Sequence, residues 1–341
     1  MKKYIVLLCV LFAFVSVIAQ RVSNVQFEQV GKQVEVTYSL DKQADISVYV
    51  STDGGRTYSA PLRAVSGDVG KNISAGYKKL LWSPLDEMEQ LVSNQVVFKV
   101  VPSGKTLTFI VGGVSFKMQM VEGGSFTMGC TSEQGGDCHS WESPSHQVTL
   151  SDYYIGQTEV TQGLWRAVMS SNPSFQKGNN YPVEDVSWND CQDFIRKLNN
   201  MLSSELGGKR FSLPTEAQWE YAARGGKKSG HYKYAGSNNI GSVTWYGGHS
   251  GSRTHPVGQK SANELGLYDM SGNVYEWCQD WYGSYTGVSQ TNPTGAASGS
   301  VRVLRGGSWI TNEGSCRVSG RYKSPPDFRD GIRGLRLVLV P

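Results

Sequence analysis

Nowhere in the 341 residues does Lys or Arg accumulate into a dense run, and the formal charge is only +4. So balanced a chain carries no electrostatic footprint for nucleic acid or an anionic membrane, and neither partner is indicated. Long apolar runs are equally scarce. The only one runs from Tyr4 to Val15, short of the roughly 20 residues a spanning helix needs, so no transmembrane segment is expected. Lys2 and Lys3 precede it and Val17-Ile18-Ala19 closes it, the pattern of a signal peptide over residues 1–19 cut before Gln20. That makes the chain an exported one, periplasmic, surface-bound or secreted. Cys9 follows Leu8 inside the run, so no lipoprotein signal is expected. Histidine is rare: there are five, none before His139. Cysteine is sparse as well. Without Cys9 there remain Cys130, Cys138, Cys191, Cys278 and Cys316, an odd set, so at least one thiol stays free or pairs between chains.

Glycine and large aromatics are what the chain has in quantity: 40 Gly, 9 Trp and 17 Tyr, which fit a fold of many turns with bulky rings filling irregular gaps. Its length suits two domains. Residues 20–104 read as strands, because Val34, Val36 and Tyr38 alternate with polar neighbours, as do Ile46, Val48 and Val50. We expect a β-sandwich there, similar to immunoglobulin or fibronectin type III modules. Asp53-Gly54-Gly55 marks a tight hairpin that resembles the Asp-box of secreted β-proteins, where it is structural. Pro102-Ser103-Gly104-Lys105 opens an expected linker over residues 105–115, and a second domain should fill residues 116–341.

Three helices are expected in that domain. One is capped by Thr161 and ends at Met169; a second runs from about Asn189 to Leu202 with Cys191 on its buried stripe as the unpaired thiol; a third starts at Thr215 and stops at Gly225-Gly226.

Seven motifs then follow in order. They are Met120–Gly129, Glu159-Val160-Thr161, Pro182–Trp188, Leu213–Ala222, Gly266–Trp277, Arg305-Gly306-Gly307-Ser308-Trp309 and Gly334-Leu335-Arg336-Leu337. The series resembles that of the formylglycine-generating enzyme, or sulfatase-modifying factor, family. The resemblance implies an α+β, C-type-lectin-like fold with little regular secondary structure, in which Trp188, Trp219, Trp277 and Trp309 are core residues first. It also implies a structural calcium ion held by Asp269, the carbonyls of Gly272 and Val274, and Glu276. A second calcium site, which the family places near Asn239-Ile240, is not expected, because its aspartate is missing around His249–Gly251.

The family's oxidases hold copper(I) between two thiolates separated by four residues, shortly after the Gly-Gly-Ser motif. Counting from Ser308, Thr311 stands at the first ligand position here and Cys316 at the second; counting back from Arg317–Arg321 puts Cys316 outside both. Either way the thiolate pair is broken, copper is not expected, and Ser308 and Cys316 are left as weak catalytic candidates. Disulfides are expected between Cys130 and Cys138 and, with less to specify it, between Cys278 and Cys316. The chain therefore reads as a non-catalytic binding or envelope-assembly module with a protein or glycan ligand, the alternative being a formylglycine-generating oxidase.

Overall fold

The structure is a computed structural model describing residues 5–7, 22–41, 43–56, 58–59, 62–103 and 106–340. The expected signal peptide and its cleavage point lie outside the described residues, save for positions 5–7. Among the described residues no helix is long and apolar enough to cross a membrane. Two compact units divide between Phe109 and Ile110.

The first unit has two antiparallel sheets, besides a short parallel pair of Ile5–Leu7 with Leu91–Ser93. One orders strands Val22–Val30, Gln33–Leu40, Gly76–Trp82 and Val65–Gly67, the other Gly70–Ile73, Ala44–Ser51 and Val97–Ser103. The period-2 pattern explains the core. Val34, Val36, Tyr38 and Leu40 all point inward with Ile46, Val48, Leu80 and Trp82, and their alternating neighbours stay more exposed. In the Asp-box hairpin the Ser51 hydroxyl accepts from the Asp53 and Gly55 amides, and Asp53 Oδ1 accepts from the Arg56 amide. These bonds are internal to the turn, which accounts for a structural role.

The expected linker is corrected by the structure. Residues 105–115 carry the strand Thr106–Val111 and the start of Val114–Val121, joined by a turn at Gly112 and Gly113. Phe109 and Val111 are buried, so the segment has the inward alternation of a strand and not the solvated texture of a spacer.

The second unit is mostly β with few helices. A five-stranded sheet orders Thr106–Val111, Val114–Val121, Tyr153–Gly156, Val338–Val340 and Arg210–Ser212; a four-stranded one orders Arg321–Ser324, Arg302–Arg305, Tyr275–Trp281 and Arg333–Gly334. Helices α1 (Gln162–Met169), α2 (Trp188–Met201) and α3 (Glu216–Ala223) begin where their caps dictate. Thr161 accepts from the Leu164 amide, Ser187 and Asp190 form a capping box, and so do Thr215 and Gln218. Trp219 and Trp277 are fully buried, whereas Trp188 and Trp309 are half-buried, each donating its indole N–H to a carbonyl, of Cys278 and Gly331 respectively.

Cys130 and Cys138 are bonded and staple the loop between them. Cys191, Cys278 and Cys316 are free and buried. The expected Cys278–Cys316 bridge is thus corrected, and packing gives the reason. Cys278 sits in the core cluster of Trp219, Met270 and Val303, while Cys316 packs with Tyr234 and Val243 in a separate one.

Candidate functional site

The loop after strand Arg302–Arg305 turns through Gly306 and Gly307, both at positive φ. At Gly307 a Cβ would lie 2.6 Å from Cys316 Sγ, so glycine is what lets the loop close over the thiol. Thr311 then folds back on Ser308: its Oγ1 accepts from the Ser308 amide at 2.9 Å and donates to the Ser308 carbonyl at 3.0 Å. Thr311 Oγ1 lies 3.7 Å from Cys316 Sγ, so the two side chains face each other.

What they present is chemically quiet. The Thr311 hydroxyl is used by the backbone, and burial pushes the Cys316 thiol up to about 12. At neutral pH it is a thiol and not a thiolate, hence neither a strong nucleophile nor a ready soft-metal ligand. Ser308 Oγ is buried with no hydrogen-bond partner, and no base is within bonding distance to activate it.

Beside this loop runs the stretch from Asp269 to Glu276. At Gly272 (φ +86°) a Cβ would meet the Trp245 carbonyl at 2.3 Å. Glu276 is buried and its carboxylate is already engaged: Oε1 accepts from Arg336 Nη2 at 2.6 Å and Oε2 from Trp219 Nε1 at 2.6 Å, with Arg336 Nε reaching both oxygens at 3.0 Å. Asp269 Oδ2 accepts from the Gly258 amide at 2.7 Å, while its Oδ1 is buried without a partner. Glu159 joins them, with Oε1 accepting from the Val274 amide and Oε2 from Asn273 Nδ2. Three buried carboxyls therefore share one guanidinium. Burial, then the neighbouring Asp269 and Glu276, hold Glu159 well above the carboxylate range, and burial lifts Asp269 to about 6. The orphaned Asp269 oxygen, with carboxyls crowded beside it, fits a hard cation. Glu276 brings to such an ion only an oxygen shared with Arg336 or Trp219. Among the described residues no group of three His, Cys, Asp or Glu side chains is placed to hold a metal, so carbonyls would have to supply most ligands.

Sequence reasoning missed Glu159 and Arg336 as partners, although both stand in motifs it singled out. It also missed three further buried clamps. Arg317 grips Glu142 with both terminal nitrogens at 2.7 and 2.6 Å, Arg321 grips Glu216 at 2.6 and 2.8 Å, and Arg305 grips Glu220. Burial pushes Glu142 and Glu216 up, but their arginine partners outweigh it and hold both below the usual range. These are framework contacts: Arg305 and Arg321 are tied to Glu220 and Glu216 of α3, and Arg317 to Glu142 outside it.

With that geometry in hand, the comparisons with known proteins fit. Residues 115–340 match the family of sulfatase-modifying factor enzyme 1-like domains, and the chain belongs to that family. Among its relatives, the chaperone protein LppX of Paenibacillus barcinonensis is 34% identical over 270 residues, 66% of this chain and 90% of that protein. The formylglycine-generating enzyme of Streptomyces coelicolor is 36% identical over 191 residues, covering 50% of this chain and only 57% of the enzyme. In structure the chain is similar to Treponema denticola variable protein 1, with a TM-score of 0.63 at 36% identity over 69% of this chain and 99% of that one.

Proposed function

We propose that this chain is a non-catalytic binding module of the cell envelope, exported, with a protein or glycan ligand. One observation carries the reading. The position facing Cys316 is a threonine whose hydroxyl is tied to Ser308, and the lone thiol is buried and protonated. The relative named a chaperone, 90% of which matches two thirds of this chain, lends support. On this reading the first unit is an immunoglobulin- or fibronectin-like spacer and the second a lectin-like binding head. The competing reading, a formylglycine-generating oxidase, predicts aldehyde formation when the protein, copper(I) and a Cys-x-Pro-x-Arg peptide are incubated together. We expect none by mass spectrometry, while Thr311→Cys should gain copper(I) binding after reduction. Aldehyde produced by the wild type would overturn the binding reading.

We further propose structural calcium at Asp269, completed by the carbonyls of Gly272 and Val274 and a shared Glu276 oxygen. Calcium should raise the melting midpoint over that in chelator, since it binds the folded chain preferentially. Asp269→Ala, which removes both side-chain oxygens, should shrink that rise. An equal rise in the variant would remove Asp269 from the ligand set.

A further inference from the structure

On the sheet formed with Val114–Val121, a cleft of about 460 Å³ opens where two neighbouring strands part company. Strand Val114–Val121 pairs with Tyr153–Gly156 as far as Met118↔Gly156, and the Gln157 amide adds one more bond to the Lys117 carbonyl at 2.9 Å. Beyond that the partner chain is drawn off. The Tyr268 amide takes the Gln157 carbonyl, and the Val160 amide goes to Leu335. Backbone groups on a strand alternate in direction, so Ser115, two residues from Lys117, turns its N–H and C=O to the same side as Lys117, into the cleft. Ser115 is exposed, and among the described residues the ladder to Tyr153–Gly156 does not reach it. The strand edge at Ser115 is thereby left without that neighbour inside a concave site.

The walls have a definite chemistry. Leu164 and Val160 give an apolar side, and among the described residues the side-chain amides of Gln157 and Asn180 have no hydrogen-bond partner. Lys117 is exposed and, among the described residues, makes no ion pair. The carboxyl at this cleft, Glu159, is buried with both oxygens in use, so the site offers a free positive charge and no free negative one. The nearby start of α1 offers no anion site, because its Gln162, Gly163 and Leu164 amides are already bonded to Tyr181, Asn179 and Thr161.

We propose that this cleft binds a short, extended, acidic peptide segment, which adds as a strand beside Ser115 with its acidic group against Lys117. The proposal rests on the binding reading above and deepens it by naming the ligand class. A free donor and acceptor at strand spacing recognise main chain, which a saccharide lacks. The adjacent apolar wall and unused amides then read the alternate side chains.

The test titrates the full chain with dye-labelled, N-acetylated hexapeptides Thr-Val-x-Val-Thr-Val, x being Asp, Asn or Lys, and follows fluorescence anisotropy. Affinity should fall in the order Asp, Asn, Lys by roughly threefold or more per step, and Lys117→Glu should reverse that order. Ser115→Pro removes only the outward N–H and should weaken binding by at least about tenfold while leaving the melting midpoint in place. If the proline variant melts early, amide exchange at Ser115 in the wild type decides instead, since bound peptide must protect it. The proposal is overturned if none of the peptides binds, if the Ser115 amide stays unprotected, or if cellohexaose binds in their place. Any of these alongside a negative copper assay leaves the non-catalytic reading standing and removes this site alone.

Discussion

Glu276→Ala should destabilise the second unit by about 3–5 kcal/mol, because it strands a charge that has no route to water. Arg336 is fully buried, and Glu276 is the carboxylate that receives its Nε and one Nη2 bond. The remaining hydrogen bonds of Arg336, to the carbonyls of Gly156 and Tyr268, satisfy donors without neutralising charge, and Glu159 and Asp269 lie near but do not bond it. The Trp219 indole loses its acceptor in the same substitution. Glu276→Gln keeps a hydrogen-bond acceptor and should cost less, on the order of 1–3 kcal/mol. Urea denaturation followed by tryptophan fluorescence, in chelator, measures both. A loss below about 1 kcal/mol for the alanine variant would mean that Arg336 finds other compensation and the clamp is not a main support of the fold.

Acidification from pH 9 to about 5 should stabilise the chain, the reverse of what its paired carboxylates alone would give. Asp280 is pushed up to about 8 by burial and then by Glu216, and Asp269 to about 6 by burial. A carboxyl whose folded pKa lies above its unfolded value holds its proton more tightly in the folded state. Its penalty is therefore full at high pH and is relieved as pH falls through the folded value towards the unfolded one. Asp280 sets the upper part of that window and Asp269 the lower, with a combined gain on the order of 2–5 kcal/mol. Glu142 and Glu216 are held low, so their contribution is present above the ordinary carboxylate range and is lost only as pH drops below it. Denaturation midpoints taken at intervals across pH 4–9 in chelator should trace a maximum near pH 5. Asp280→Asn should flatten the curve above about pH 7. A midpoint that falls between pH 8 and 6 would contradict the burial of these two groups.

Several elements were legible because local chemistry decides them. Thr161 and Thr215 cap helices through bonds three residues long, and the alternation of Val34 to Tyr38 needs only the pleat of one strand. The motif order carried the fold of the second unit, and counting from Ser308 placed Thr311 opposite Cys316. What failed depends on partners far along the chain. The clamp on Glu276 was missed: the family resemblance implies a calcium ligand there, and nothing local announces that Arg336, sixty residues on, also holds its carboxylate. Cys278 and Cys316 were paired by count, yet which core cluster each enters is set by tertiary packing. The linker was misplaced because Gly and Lys at positions 104 and 105 signal a break without revealing that strands resume at once.

The strand Val338–Val340 lies inside its sheet, between Tyr153–Gly156 and Arg210–Ser212. During synthesis, which delivers the chain from its N-terminus, those two neighbours emerge long before the strand that joins them. Until residue 340 is free to dock, each presents an unpaired edge, and Glu276 waits without its guanidinium. The second unit therefore closes late and as a whole, and its exposed edges must be kept from foreign strands for as long as the chain is still being delivered.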